Sequence, residues 1–250
     1  MNPIVIGGSG GSGTRAAARL LAATGVRMGE HVNSSADALA FVNIFDVLIN
    51  PILQNTRSLD YDPIGLPVEF AAHAIEMIRS AADIHCTPSA RDGRWGFKNP
   101  RHMFLLPLLN QIFPEFVFVH VLRDGRDMLF SDNQNQLRRY YSDLFGRPGD
   151  VTLEAAAAFW STANLQAATY GARALKSRYI VLRLEDFCGE ARKDYALGLA
   201  QKLKLDKSRV VAHLDTFQAP SSLGRWRARA KELPPLTGIF GTALAYFGYY

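Results

Sequence analysis

The stretch that most constrains this chain is IVIGGSGGSGTR, in which the apolar run Pro3 to Ile6 stops at a loop carrying Gly7, Gly8, Gly10, Gly11 and Gly13 among Ser9, Ser12 and Thr14. Glycines permit unusual φ/ψ and close backbone approach. Successive N–H groups and the N-terminus of a following helix can therefore converge on an anion. Ala and Leu at helical spacing from Arg15 to Ala23, ended by Gly25, supply that helix. The unit reads as strand, anion-binding loop and helix, with a tight turn of small residues as the bland reading.

The same alternation continues. Ala36 to Ile49 and Val68 to Ala82 carry helical patterns, and the segment between them, with Pro51, Pro63 and Pro67, reads as a connecting loop. Trp95 to Lys98 is a short strand, Met103 to Phe113 an apolar helix, and Phe116 to Leu122 (FVFVHVL) the clearest buried strand. Thr152 to Leu175 reads as a long helix, Tyr179 to Leu184 as a strand and Phe187 to Leu203 as the helix after it. Strands alternating with helices predict an α/β fold, three-layer α/β/α with a central parallel sheet. No composition break divides the 250 residues, so a single domain over 1–250 is expected.

With 48% hydrophobic and 20% charged residues, disorder, collagen-like repeats and coiled coil are excluded. The formal charge is +5, and 21 of the 28 basic residues are Arg, which suits bidentate capture of phosphate or sulfate oxygens. Nothing beyond charge points to nucleic acid. Cys86 and Cys188 show no metal-ligand spacing and are too few for a disulfide framework, so no metal is expected and a reducing compartment fits. The opening MNPIVIGG has no basic n-region and no run is long and apolar enough to span a membrane, so a cytoplasmic protein is expected.

Gly8, Gly10 and Gly13 satisfy the dinucleotide pattern G-x-G-x-x-G, and Glu30 lies near where a ribose-binding carboxylate would sit, so a nicotinamide-dependent oxidoreductase is one reading. The Walker pattern fails, because Thr14 follows Gly13 where a lysine is required. A second motif weighs against the first reading. The strand FVFVHVL runs into Arg123-Asp124-Gly125-Arg126-Asp127 and on to Ser131, which puts a guanidinium at a strand's C-terminal end, where open α/β sheets bind ligands. Taken alone, Arg123 and Asp127 could form an ion pair at a helix start.

Together the two loops resemble the P-loop sulfotransferases, with motifs closest to the tyrosylprotein and carbohydrate types. GSGTR is similar to their 5′-phosphosulfate loop and RDGRDMLFS to their 3′-phosphate motif. The resemblance implies the P-loop nucleoside triphosphate hydrolase-like fold and 3′-phosphoadenosine 5′-phosphosulfate (PAPS) as donor, with 3′-phosphoadenosine 5′-phosphate (PAP) as product. It implies that Gly11, Ser12, Gly13 and Thr14 cradle the 5′-phosphosulfate while Arg123 and Ser131 hold the 3′-phosphate. Arg27-Met28-Gly29-Glu30 resembles a segment whose glutamate is the proposed base, which makes Glu30 the expected base and His31 the fallback. Gly96-Phe97-Lys98-Asn99-Pro100 resembles the family's K-x-P segment and casts Lys98 as the donor to the transferring group. Leu223-Gly224-Arg225-Trp226-Arg227, followed by the tail FGYY, is similar to a closing motif in which Arg225 and Trp226 cap the cofactor.

One position departs from the pattern. Family loops carry Lys or Arg where this chain has Gly11, and losing a charged donor there costs on the order of 1.5 to 3 kcal/mol unless another replaces it. Arg15 and Lys98 are the candidate replacements, and a catalytically silent PAP-binding relative is the alternative. The reaction expected is an in-line displacement onto a hydroxyl or amine of a small molecule, a carbohydrate or a peptide. Residues 43–91 match no motif, and nothing in the sequence specifies an oligomer or an acceptor.

Overall fold

The computed structural model describes residues 2–91 and 93–249. Four strands, β1 (Ile4–Gly8), β2 (Gly96–Lys98), β3 (Val117–Leu122) and β4 (Tyr179–Arg183), form one parallel sheet in the order β2-β1-β3-β4. The helices are α1 (Thr14–Ala23), α2 (Phe45–Thr56), α3 (Val68–His85), α4 (Leu106–Ile112), α5 (Gly125–Leu129) and α6 (Asn135–Phe145). After them come α7 (Leu153–Tyr170), α8 (Leu184–Cys188), α9 (Arg192–Leu203), α10 (Lys207–Thr216) and α11 (Gly238–Tyr246).

Side chains alternate across the strands and build two cores. Val5, Phe97, Phe118 and Leu122 pack with residues of α2, α3, α4, α6, α7 and α11 on one face. Ile4, Ile6, Val119, Val121, Ile180 and Leu182 pack with α1, α9 and α10 on the other. This is the expected three-layer α/β/α arrangement. From β1 the chain first adds β2 on one side and then β3 on the other, so the crossover direction reverses at β1. That switch opens a crevice above the C-terminal ends of the strands, where the glycine loop, Lys98 and Arg123 all emerge.

Several boundaries differ from the sequence reading. The helix expected over 36–49 begins only at Phe45, because Ala36 adopts a left-handed φ of 61° inside a turn organised by Asn33. That helix then runs through Pro51 into the expected loop, since Leu48, Ile49, Ile52 and Leu53 form one buried face spanning the proline. The stretch 100–105 is a 3₁₀ helix before α4. The expected helix over 187–203 is two helices, α8 and α9, parted over residues 189–191. No expected helix corresponds to α6, α10 or α11. Both cysteines are free, and among the described residues no helix is long and apolar enough to cross a membrane. In the aromatic tail, Phe247 and Tyr249 pack near Trp160, while Tyr250 lies outside the described residues.

Candidate functional site

The glycine loop turns sharply because Gly11 and Gly13 take φ of 95° and 97°, a region that strains any residue with a Cβ. Its crown is braced from α6, where the Gln136 side chain accepts from Gly10 N–H at 3.1 Å and donates to the Gly8 carbonyl at 3.2 Å. From α7, Asn164 donates to Ser9 Oγ at 3.1 Å and accepts from His120 Nε2 at 2.9 Å, while the other imidazole nitrogen meets Tyr179 Oη at 2.7 Å. Burial pushes the His120 pKa down to about 4, so the imidazole is neutral and serves the core. Gly13 caps α1 with no side chain bonded to the helix N-terminus and no acidic residue in its first turn. Ser12 Oγ is buried without a hydrogen-bond partner among the described residues. The left-handed glycines and the uncapped N-terminus of α1 leave backbone N–H groups of the loop open to an anion.

Arg123, one residue past β3, faces that loop. Its Nε and Nη2 donate to Asp127 Oδ2 at 3.1 and 2.8 Å, and its Nη1 lies 3.2 Å from Ser222 Oγ and 3.5 Å from the Gly11 carbonyl. The ion pair that the sequence offered as a bland alternative therefore exists, and Arg123 lines the cleft as well. Asp127 also accepts from the backbone N–H of Gly224 at 2.7 Å and of Trp226 at 3.1 Å, which anchors the C-terminal motif to the second one. Arg225 reaches the Phe130 carbonyl at 3.0 Å; burial, and then the Arg123 charge, lower its pKa. The Trp226 indole carries the Arg126 guanidinium 4.0 Å above its ring, and Trp226 is not among the cleft-lining residues. Ser131 stands beside Gly11, where an added Cβ would come within 3.1 Å of its Oγ.

Lys98 ends β2, is 3% exposed, and donates to Asp37 Oδ1 at 2.8 Å and the Ser35 carbonyl at 2.9 Å. Burial lowers its pKa, and the Asp37 carboxylate works against that shift. Asp37 is held by Asn33, whose Oδ1 accepts the Asp37 N–H at 2.9 Å and whose Nδ2 donates to Asp37 Oδ2 at 3.2 Å. Glu30 and His31 are exposed and do not line the cleft. The carboxylate that the fold brings to Lys98 is Asp37, a residue that no motif in the sequence singled out. The strand following α1 in sequence ends at Lys98, so a cation occupies the place where the dinucleotide reading needs a ribose-binding carboxylate.

These elements enclose a cleft of about 340 Å³ lined by Gly11, Gly13, Thr14, Asp37 and Ser222 and by four cations, Arg15, Lys98, Arg123 and Arg225. A second cleft of about 470 Å³ adjoins it through Gly13, Arg15, Leu184 and Pro220 and is lined further on by His213 and Phe217. The pair offers a strongly cationic end and an aromatic end, which is the complement of a phosphorylated nucleoside. The sequence reading missed Asp37, Gln136, Asn164, Ser222 and Phe217, each of which reaches the site from a distant segment.

A profile of the sulfotransferase family matches residues 3–195. No curated protein sequence matches the chain. Among solved structures, the sulfotransferase domain of the Synechococcus PCC 7002 olefin synthase is similar over 100% of this chain and 95% of its own, with a TM-score of 0.58 and 15% identity. The sulfotransferase domain from the curacin biosynthetic pathway covers 100% and 99%, with a TM-score of 0.56 and 11% identity. Sulfotransferase STF9 from Mycobacterium avium covers 98% and 76%, with a TM-score of 0.57 and 12% identity. At these identities the likeness is one of fold.

Proposed function

The chain belongs to the sulfotransferase family, and from that premise we propose that it moves a sulfuryl group from PAPS to a hydroxyl or amine acceptor, as a single sulfotransferase-like domain. The observation that carries this reading is the convergence of Arg15, Lys98, Arg123 and Arg225 on the glycine loop, whose Gly11, Gly13 and Thr14 line the same cleft. A dinucleotide fits less well, because Lys98 stands at the end of β2 where a ribose-binding carboxylate is required.

When bound, PAPS supplies the sulfuryl group and departs as PAP. The N–H groups of Gly11, Ser12, Gly13 and Thr14, with the two hydroxyls, would hold the 5′-phosphosulfate, and Arg123 with Ser131 and Arg225 the 3′-phosphate. Lys98 and Arg15 stand in for the cation missing at Gly11, because both line the same cleft. Lys98 is nearly dry, so its charge interacts with a leaving phosphate far more strongly than it would in water. Trp226 acts by bracing Arg126 and the segment over the cleft.

Calorimetry with PAP, NADPH and ATP at one salt concentration tests the reading. PAP should bind, NADPH and ATP should bind at least tenfold more weakly, and Arg225→Ala should weaken PAP about tenfold, the worth of one charged hydrogen bond. Preferential binding of NADPH, or no binding of PAP, would overturn it.

A further inference from the structure

A third cleft, of about 200 Å³, shares Asp37, Pro100 and Asn133 with the cationic one and is otherwise lined by Gly10, Asn99, Arg101, Asn135, Gln136 and Arg139. We propose that it is the acceptor subsite, that it takes a neutral polyhydroxylated molecule such as a sugar, and that Asp37 at the junction of the two clefts is the base that receives the acceptor proton. The proposal rests on the donor reading above.

The lining dictates the acceptor chemistry. Among the described residues no aromatic ring lines this cleft, so a phenol would have nothing to stack on. Its volume lies below the roughly 300 to 1,000 Å³ of sites for drug-sized ligands and suits a single sugar ring. Asn99 and Asn133 spend their side-chain carbonyls on the N–H groups of Arg101 and Asn135, and their Nδ2 groups make no hydrogen bond among the described residues. Those amides are donors for hydroxyl oxygens. Arg101 and Arg139 share Asp46, which also accepts from Tyr140 Oη at 2.7 Å, so part of their charge is balanced within the wall and their free N–H groups are donors for hydroxyl oxygens.

The position of Asp37 dictates its role. Its carboxylate contacts Lys98 and lines both clefts, and Asn33 fixes its orientation. In the transfer, the acceptor oxygen forms the new S–O bond. The bond from sulfur to the bridging oxygen breaks, leaving its electron pair on the phosphate beside Lys98, and the acceptor proton passes to Asp37. Base and leaving-group cation are thus adjacent side chains, so one turn over residues 33–37 positions both.

The test pairs PAP calorimetry with mass-detected transfer from PAPS to a panel of methyl hexosides and alditols, with 4-nitrophenol and a tyrosine peptide as competitors. The expected result is transfer to at least one neutral polyol in preference to either phenol. Asp37→Asn should lower kcat at least about a hundredfold while PAP affinity stays within about threefold, less than a single hydrogen bond contributes. Its residual rate should climb with pH as hydroxide replaces the base, a change that a merely structural role would not produce, and Asp37→Glu should recover part of the turnover. Asn133→Ala should raise the KM of the polyol more than it lowers kcat. Preference for a phenol, or no polyol accepted by protein that binds PAP, overturns the acceptor class. Loss of turnover in Glu30→Gln with Asp37→Asn still active overturns the base. Failure of the wild-type protein to bind PAP removes the donor reading instead, so the two failures are separable.

Discussion

Asp127 grips Arg123 from one helical turn away: its Oδ2 accepts from Arg123 Nη2 at 2.8 Å and from Nε at 3.1 Å, and both side chains are buried. The same carboxylate holds the N–H groups of Gly224 and Trp226. One acidic residue thus aims the guanidinium at the cleft and fastens the C-terminal segment that closes it.

Removing that carboxylate leaves a buried guanidinium unpaired, a defect worth about 3 to 5 kcal/mol. Asp127→Ala should therefore lose about that much unfolding free energy in urea. Asp127→Asn keeps an oxygen for Gly224 and should lose less, while still binding PAP at least tenfold more weakly. Unchanged PAP affinity in folded Asp127→Asn would show that the pair is structural only.

Ser12→Ala separates binding from folding in the opposite sense. The Ser12 hydroxyl is buried and unpartnered, so its removal should leave stability unchanged or slightly raised. A hydrogen bond to a charged oxygen contributes about 1.5 to 3 kcal/mol, so PAP affinity should fall roughly 10- to 100-fold. A large loss of stability with no loss of affinity would place the hydroxyl in the core rather than in the site.

Gly11→Lys restores the cation usual in the loops this one resembles. At φ 95° the new side chain is strained, and its Cβ would press on Ser131 Oγ at 3.1 Å. Thermal denaturation should report a cost of about 1 to 2 kcal/mol or more, and calorimetry no gain in PAP affinity, because Lys98 and Arg15 already supply charge there. Tighter binding by tenfold would mean that the cationic lining of the native cleft is incomplete.

Acid should loosen the fold through its buried imidazoles. Burial lowers the His120 pKa to about 4, and burial together with the neighbouring His85 lowers that of His102. Because the folded values lie below the unfolded value near 6.5, the unfolded chain takes up the proton first. Stability is then fully present above that pH and drains away as pH falls toward 4. For His120 alone the loss is on the order of 3 kcal/mol. Urea midpoints should drop between neutral pH and about pH 5, with a shallower drop in His120→Gln; an unchanged slope in that variant would remove His120 from the account.

Local chemistry made part of this protein legible from sequence alone. Apolar runs identify β1, β3 and β4, the glycine density identifies the sharp loop between β1 and α1, and RDGRD with GFKNP places cations at strand ends, because each signal is complete within a few neighbouring residues. Packing overrode local signals where a buried face carried α2 through Pro51 and where the turn at Ala36 delayed its start. The site depended on contacts that no local window contains: Lys98 meets Asp37 across 61 residues, Asp127 meets Gly224 across 97, and Gln136 meets Gly8 across 128. A carboxylate at residue 37 reads like any other in a polar turn, and only the docking of that turn on the end of β2, where Ala38 N–H donates to the Lys98 carbonyl, brings it to the lysine and makes it a candidate base.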